Sequence, residues 1–310
     1  MKEDFLTIQR RDLLKLAGVT TAAGLFPTWA MADTLSLVQR NIPHTIEYLP
    51  VIGLGTAGNL AGMDDPETKK QLGAVMQTFF DRGGQLIDSS PMYGDAESAI
   101  GELLKGVKNK ENLFAATKVW TYGREAGIKQ MDQSFQRMGV KKMDLMQIHN
   151  LRDWQIHIAT LREWKEQGKI RFLGITTSHG RDHAELERIM EIEKLDFVQF
   201  SYSMGERAAE QRLLPLAADK GIATLINRPF QRGDLFKAIK GKKLPKWAAE
   251  FDCSSWGQFF LKFVVSHPAV TCAIPMTSKV KHMADNMGAS YGGLPDEATR
   301  AKMVSLIESF

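Results

Sequence analysis

Cysteine is almost missing from this chain: its 310 residues include two, Cys253 and Cys272, with no C-x-x-C spacing. That excludes a disulfide framework or a thiolate metal cluster as the basis of the fold, and the scarcity suits an oxidising compartment. Two separate buried thiols are the default reading, with a single Cys253–Cys272 bridge as the alternative. Long apolar runs are lacking as well. The stretch from Leu16 to Trp29 is interrupted by Gly24 and Pro27 and is shorter than the ~20 residues a spanning helix needs. No permanent membrane span is expected. Nor is there a surplus of charge, since 40 Lys and Arg against 36 Asp and Glu leave +4. Nucleic acid or an anionic membrane as the main partner would need a clustered basic face. Only the five lysines from Lys237 to Lys246 come near one, and they read as a solvated loop.

What is present starts with a three-part N-terminal segment. Arg10 and Arg11 lie in Gln-Arg-Arg-Asp-Leu-Leu-Lys, the mildly apolar run follows, and Ala30-Met31-Ala32 forms an A-x-A cleavage site. This resembles a twin-arginine export signal. The resemblance implies passage of an already folded protein through the twin-arginine (Tat) machinery, to the periplasm where the cell has an outer membrane. Residues 1–32 are therefore set apart from a single domain, 33–310, whose net charge falls to +3 once four basic and three acidic residues are removed.

From Val51 onward, short apolar runs alternate with longer segments of helical period, the pattern of a parallel α/β protein. The expected strands are Val51–Leu54, Gln85–Ile87, Leu113–Thr117, Leu145–Ile148, Phe172–Ile175, Phe197–Phe200, Ala223–Ile226 and Thr271–Ile274. Between and after them, helices are expected over Glu67–Asp81, Ala96–Leu104, Glu125–Met138, Gln155–Glu166, Ala184–Glu193, Glu210–Asp219, Ser254–Val265 and Val280–Met287. Eight such repeats imply a closed (β/α)8 TIM barrel, a fold that holds about 250 residues in one domain. Asp65 is the expected N-cap before Pro66, and Gly168 and Gly221 stand just past helix ends. Arg228–Asp252 is a long insertion and Leu294–Phe310 a C-terminal extension, both expected to shape the mouth of the site.

Gly53-Leu54-Gly55-Thr56-Ala57-Gly58 matches G-x-G-x-x-G after a strand, the form of a dinucleotide-binding turn. That turn must open directly into a helix, whereas Asn59 to Pro66 here is a Gly/Asp/Pro loop. A doubly wound nucleotide fold is not the better reading. His179 and His183 have the spacing of two metal ligands on a helix but no third ligand, so no metal is expected. The Tyr-x-x-x-Lys arrangement of short-chain dehydrogenases is absent at Tyr93 and Tyr122.

The stronger signal is four polar residues, Asp88, Tyr93, Lys118 and His149, each at or just beyond the C-terminal end of an expected strand. In a barrel those ends share one rim, and burying such groups without use is costly. With these positions in hand, Gly-Leu-Gly-Thr, Ile-Asp-Ser-Ser-x-x-Tyr-Gly, Thr-Lys-Val-Trp, Asp-Leu-Met-Gln-Ile-His and Gly-Lys-Ile-Arg-Phe-Leu-Gly-Ile are similar to the aldo-keto reductases from about Ile46 to Ala289. The resemblance implies a catalytic tetrad of these four residues and reduction of an aldehyde or ketone by a nicotinamide cofactor, running in reverse as alcohol oxidation.

Hydride transfer to a carbonyl leaves charge on oxygen, which needs a proton donor. Tyr93 is the expected acid, its phenol pKa lowered from ~10 by Lys118. Asp88 would hold Lys118 charged, and His149 would hydrogen-bond the substrate oxygen. For the cofactor, the resemblance points to Gly55, Thr56, Asp88, Thr176, Thr177, Gln199, Arg228, Thr277, Ser278 and Asn286, with Lys279 or Lys281 also placed for a 2'-phosphate; this favours NADP(H) over NAD(H). The chain departs from the family where Thr176-Thr177 replaces Ser-Asn, where Arg228 stands in place of a stacking aromatic, and where Met276 and His282 replace basic residues. Trp120 and Met92 are expected in the substrate pocket. Two other roles stay open: a cofactor-binding or interaction protein with little turnover, and a structural barrel without nicotinamide.

Overall fold

The computed structural model describes residues 35–58 and 60–310, so the segment read as an export signal lies outside the described residues. The described residues begin with an antiparallel hairpin, β1 (Gln39–Asn41) and β2 (Tyr48–Pro50). Its turn is closed by the Asn41 amide, which donates to the Thr45 and Glu47 carbonyls at 2.9 and 3.0 Å. Eight parallel strands follow: β3 (Leu54–Gly55), β4 (Leu86–Asp88), β5 (Phe114–Val119), β6 (Met143–Ile148), β7 (Ile170–Thr176), β8 (Phe197–Ser201), β9 (Ala223–Asn227) and β10 (Cys272–Ala273). Each pairs with its neighbour in sequence. The Ile52–Ala273 bridge, with Gly53 N–H donating to the Ala273 carbonyl at 2.8 Å and Gly55 N–H to the Pro275 carbonyl at 3.0 Å, closes the barrel.

Among the described residues ten α-helices accompany them: α1 (Pro66–Asp81), α2 (Ala96–Gly106), α3 (Arg124–Met138), α4 (Trp154–Glu166), α5 (His183–Ile192), α6 (Leu213–Lys220), α7 (Asp234–Ala238), α8 (Trp256–Val265), α9 (Val280–Gly288) and α10 (Glu297–Glu308). The (β/α)8 barrel expected from the alternation is the fold. Asp65 caps α1 by accepting the Thr68 N–H at 2.8 Å, with Pro66 at the first helical position. Helix α6 starts three residues later than its pattern suggests, because Pro215 has no N–H and fits only where a first-turn donor is free anyway. No helix among the described residues is long and apolar enough to cross a membrane.

The β1–β2 hairpin escaped the sequence pattern, being two three-residue strands without a readable period. It places Ile42 and Leu49 in one buried cluster with Leu86, Phe114, Leu145, Phe172, Phe197 and Leu225, side chains from around the barrel interior. The rings of Phe114, Phe172 and Phe197 meet at centroid distances of 5.4–5.9 Å. The interior is thus filled by side chains, and the polar residues at the strands' C-terminal ends are left to the opposite mouth. The extension after Leu294 does not shape that mouth. It forms α10, whose Arg300 hydrogen-bonds Tyr202, Glu210, Ser266 and the Phe263 carbonyl instead. Cys253 and Cys272 are separate buried thiols, not a bridge.

Candidate active site

A cleft of about 860 Å³ opens at the C-terminal mouth, a size at the upper end of small-molecule sites. Its floor is an ion pair. Asp88, the last residue of β4, and Lys118, in β5, are almost wholly buried, with Lys118 Nζ 2.6 Å from Asp88 Oδ2 and 2.7 Å from the Ser89 carbonyl. The other oxygen, Asp88 Oδ1, accepts the side-chain amides of Gln147 (2.9 Å, from β6) and Gln199 (3.1 Å, from β8). Two alternate strands of the barrel, β6 and β8, therefore aim donors at one carboxylate, which is what lets a buried charge persist. Burial by itself would push the Lys118 pKa down, but Asp88 and Tyr93 outweigh it and hold it above the ordinary lysine value. The ammonium stays charged.

Tyr93 reaches this pair from the loop after β4, with Lys118 Nζ 5.2 Å from the centre of its ring. Here the structure corrects the sequence expectation. Burial raises the phenol pKa by more than Lys118 lowers it, and Asp88 adds to the rise, so Tyr93 lies above its ordinary value and remains protonated at neutral pH. His149 follows β6 and meets the Tyr93 ring edge-on at 5.6 Å. Burial, then the charges of Lys118 and Arg152, depress its pKa to about 3, so the imidazole is neutral.

Ser90, a residue the sequence reading passed over, lies 2.8 Å from His149 Nδ1 while its Oγ accepts the Met92 N–H at 3.2 Å. The tautomer in which the Ser90 hydroxyl donates to Nδ1 is the one that carries the ring proton on Nε2 as a donor. The only sequence signal was the second serine of Asp88-Ser89-Ser90. Gln147 was passed over too, because nothing in Leu-Met-Gln-Ile-His says that its amide points at Asp88.

The remaining expected residues divide. Gly55, Thr56, Thr176, Thr177, Gln199, Arg228, Thr277, Asn286 and Met92 line the cleft. Gly55 is required by packing, since a Cβ there would stand 2.6 Å from the Ile274 carbonyl oxygen. Thr56 Oγ1 donates to the Asp88 carbonyl at 3.0 Å, and Thr176 Oγ1 accepts the Asn150 N–H at 3.1 Å. Ser278 is not brought to the cleft; its carbonyl instead accepts from Gln71 of α1 at 2.6 Å. Lys281 and His282 line the cleft in its stead, whereas Lys279 does not. Trp120 is also outside the lining, 6.4 Å from the His149 ring and stacked against Arg152.

The insertion after β9 carries Arg228, Pro229, Phe230, Arg232 and Phe236 to the cleft, where Arg181 joins them. Burial and the charges of Arg228, Arg181 and Arg232 push the His179 pKa down, which shows how closely these cations gather. Arg228 Nε and Thr177 Oγ1 are buried without a protein partner. Unpaired buried polar atoms beside a cationic wall fit a ligand with phosphates at one end and hydrogen-bonding groups at the other. Among the described residues no cluster of three or more His, Cys, Asp or Glu is arranged to hold a metal ion, around His179 and His183 or elsewhere.

Comparison with known proteins identifies the family and the fold. The profile of the Aldo/keto reductase family matches residues 51–301. Methylglyoxal reductase YeaE of Escherichia coli (strain K12) is 28% identical over 243 residues, 77% of this chain and 84% of its own length. An NADH-specific methylglyoxal reductase of the same organism is 29% identical over 195 residues, 53% of this chain and 57% of its own. Among solved structures, an aldo-keto reductase from Klebsiella pneumoniae in complex with NADPH superposes with a TM-score of 0.70 at 20% identity, covering 88% of this chain and 96% of that one.

Proposed function

The chain belongs to the aldo/keto reductase family, and from that premise we propose that it reduces an aldehyde or ketone to the alcohol with NADPH, with Tyr93 as the acid. The observation that carries the reading is the convergence of Asp88, Lys118, Tyr93 and His149 at a cleft that Arg181, Arg228 and Arg232 also line. The cofactor supplies the hydride. The residues of the chain do the rest: the neutral Tyr93 phenol gives its proton to the oxygen on which charge develops, and the adjacent Lys118 ammonium stabilises the phenolate left behind. Asp88, held by Gln147 and Gln199, fixes that ammonium. His149 donates from Nε2 to the same oxygen and so orients the carbonyl.

Thr56, Thr177 and Asn286 are the candidates to hold the cofactor's polar groups, and Arg181, Arg228 and Arg232 its diphosphate. Gln199 has its amide donors engaged by Asp88 and Gln147, and its oxygen, which accepts from Asn227 at 3.4 Å, retains a second acceptor site for a carboxamide. NADP(H) is favoured over NAD(H) because Lys281 lines the cleft with Thr277. The NADPH complex of the Klebsiella enzyme supports that preference, and the NADH-specific Escherichia coli relative opposes it. On the strength of residues 1–32, the domain 33–310 is proposed to be exported through the Tat machinery.

The test is NADPH oxidation against a panel of aldehydes and ketones, beside Tyr93→Phe. Loss of a general acid should lower kcat by about 10²–10⁴ while fluorescence titration shows unchanged NADPH affinity. Turnover that survives the substitution removes Tyr93 from the role of acid. No turnover on any carbonyl, with cofactor still bound, moves the protein to the cofactor-binding role.

A further inference from the structure

The loop after His149 contains an arginine that the proposed chemistry does not use. Three of its four residues, Asn150, Leu151 and Asp153, have φ of 51–52°, the left-handed region, and none is glycine. Such conformations are unfavourable for residues with a Cβ and persist where the surroundings enforce them. Their product is the placement of the fourth residue, Arg152. Its guanidinium carbon lies 4.5 Å from the centre of the Trp120 ring and 4.7 Å from that of Tyr122.

The platform under it is rigidly held. Gln130 Oε1 accepts the Trp120 N–H at 2.6 Å and its amide donates to the Trp120 carbonyl at 3.2 Å. His157 Nε2 bonds the Thr121 carbonyl at 2.9 Å. The nearest acid in sequence, Asp153, is occupied by the Gly123 N–H at 2.7 Å. Among the described residues, no carboxylate or carbonyl accepts a hydrogen bond from the Arg152 side chain. Cation–π contact stabilises the charge but leaves the guanidinium's N–H donors without acceptors, and those donors match a carboxylate in bidentate geometry.

Arg152, Trp120 and Tyr122 do not line the cleft itself but stand next to its His149 side. Trp120 comes two residues after Lys118 and its ring is 6.4 Å from that of His149, and the charge of Arg152 is felt at the His149 imidazole. It is separate from the arginines of the cofactor wall, which come from the loops after β7 and β9. We propose that Arg152, held against Trp120 and Tyr122, is an anion subsite for the substrate, so that the preferred substrates are carbonyl compounds carrying a carboxylate remote from the reacting carbon. This rests on the reductase reading for its catalytic consequence, though not for the binding itself.

The test pairs 4-carboxybenzaldehyde with benzaldehyde, using the full-length protein, Arg152→Gln and Arg152→Lys. Binding is read by calorimetry and turnover by NADPH oxidation. Wild type should bind the charged aldehyde about tenfold or more tightly than the neutral one, as a charge-assisted pair allows. Arg152→Gln should abolish that ratio, Arg152→Lys should retain part of it, and in turnover the ratio should lie in KM rather than kcat. Equal binding of the two aldehydes by wild type, or a preference that survives in Arg152→Gln, overturns the subsite. If the preference depends on Arg152 but neither these aldehydes nor any carbonyl of the panel is reduced, the subsite holds and the reductase reading fails.

Discussion

At pH 7 the His149 imidazole is neutral, because burial and the charges of Lys118 and Arg152 hold its pKa near 3. An unfolded histidine titrates near ~6.5, so between about 3 and 6.5 the unfolded chain takes up a proton that the folded chain refuses. The stability from this group is complete above 6.5 and is lost as pH falls toward 3. Denaturant midpoints should therefore decline across that window, and His149→Asn should flatten the slope; an unchanged slope would place the acid sensitivity elsewhere. Lys118 has the opposite sign. Its raised pKa makes the contribution of the Asp88 pair complete below the ordinary lysine value and lost only as pH climbs above it. Neither residue titrates near neutrality, so neither should appear as a pH-rate inflection between 6 and 8.

Helices α2 and α3 show how one glycine sets the distance between elements. A Cβ on Gly101 would stand 2.1 Å from the Arg137 carbonyl oxygen, and that oxygen is backbone, which cannot swing away. Gly101→Ala adds helix propensity but forces the two helices apart, an overpacking that costs about 1–3 kcal/mol. The expected result is a lower denaturant midpoint with kcat retained where the variant is folded; a gain in stability would show that α2 can shift freely. Sequence alone presents Gly101 as an oddity inside an amphipathic helix. By contrast the Asp65–Pro66 start of α1 was readable, because a cap acts on the three residues beside it.

For the molecule as a whole, the hairpin fills one end of the barrel and frees the other for polar chemistry. Ile42 and Leu49 carry that burden from outside the repeating pattern, where no period announces them. Proposed export also belongs to this scale, since the Tat route moves folded domains. In a Tat-competent bacterium the full chain should yield a shortened product outside the cytoplasm. Arg10→Lys with Arg11→Lys should retain it inside at full length. Equal distribution of the two forms would set the twin-arginine reading aside.

The amino-acid sequence by itself determined the eight-fold alternation and the rim positions of Asp88, Tyr93, Lys118 and His149, because a strand's end and its following polar residue are adjacent in the chain. Which partners those residues meet was decided by closure of the barrel. Gln199 donates to Asp88 from 111 residues away. Ser90 reaches His149 across two loops, Ser278 turns toward α1, and the Tyr93 pKa rises where its cationic neighbour alone predicts a fall. Local pattern encodes what consecutive residues do. Burial and long-range pairing exist only once the sheet has curled on itself, and they fix the sign of a shift and the owner of a hydrogen bond.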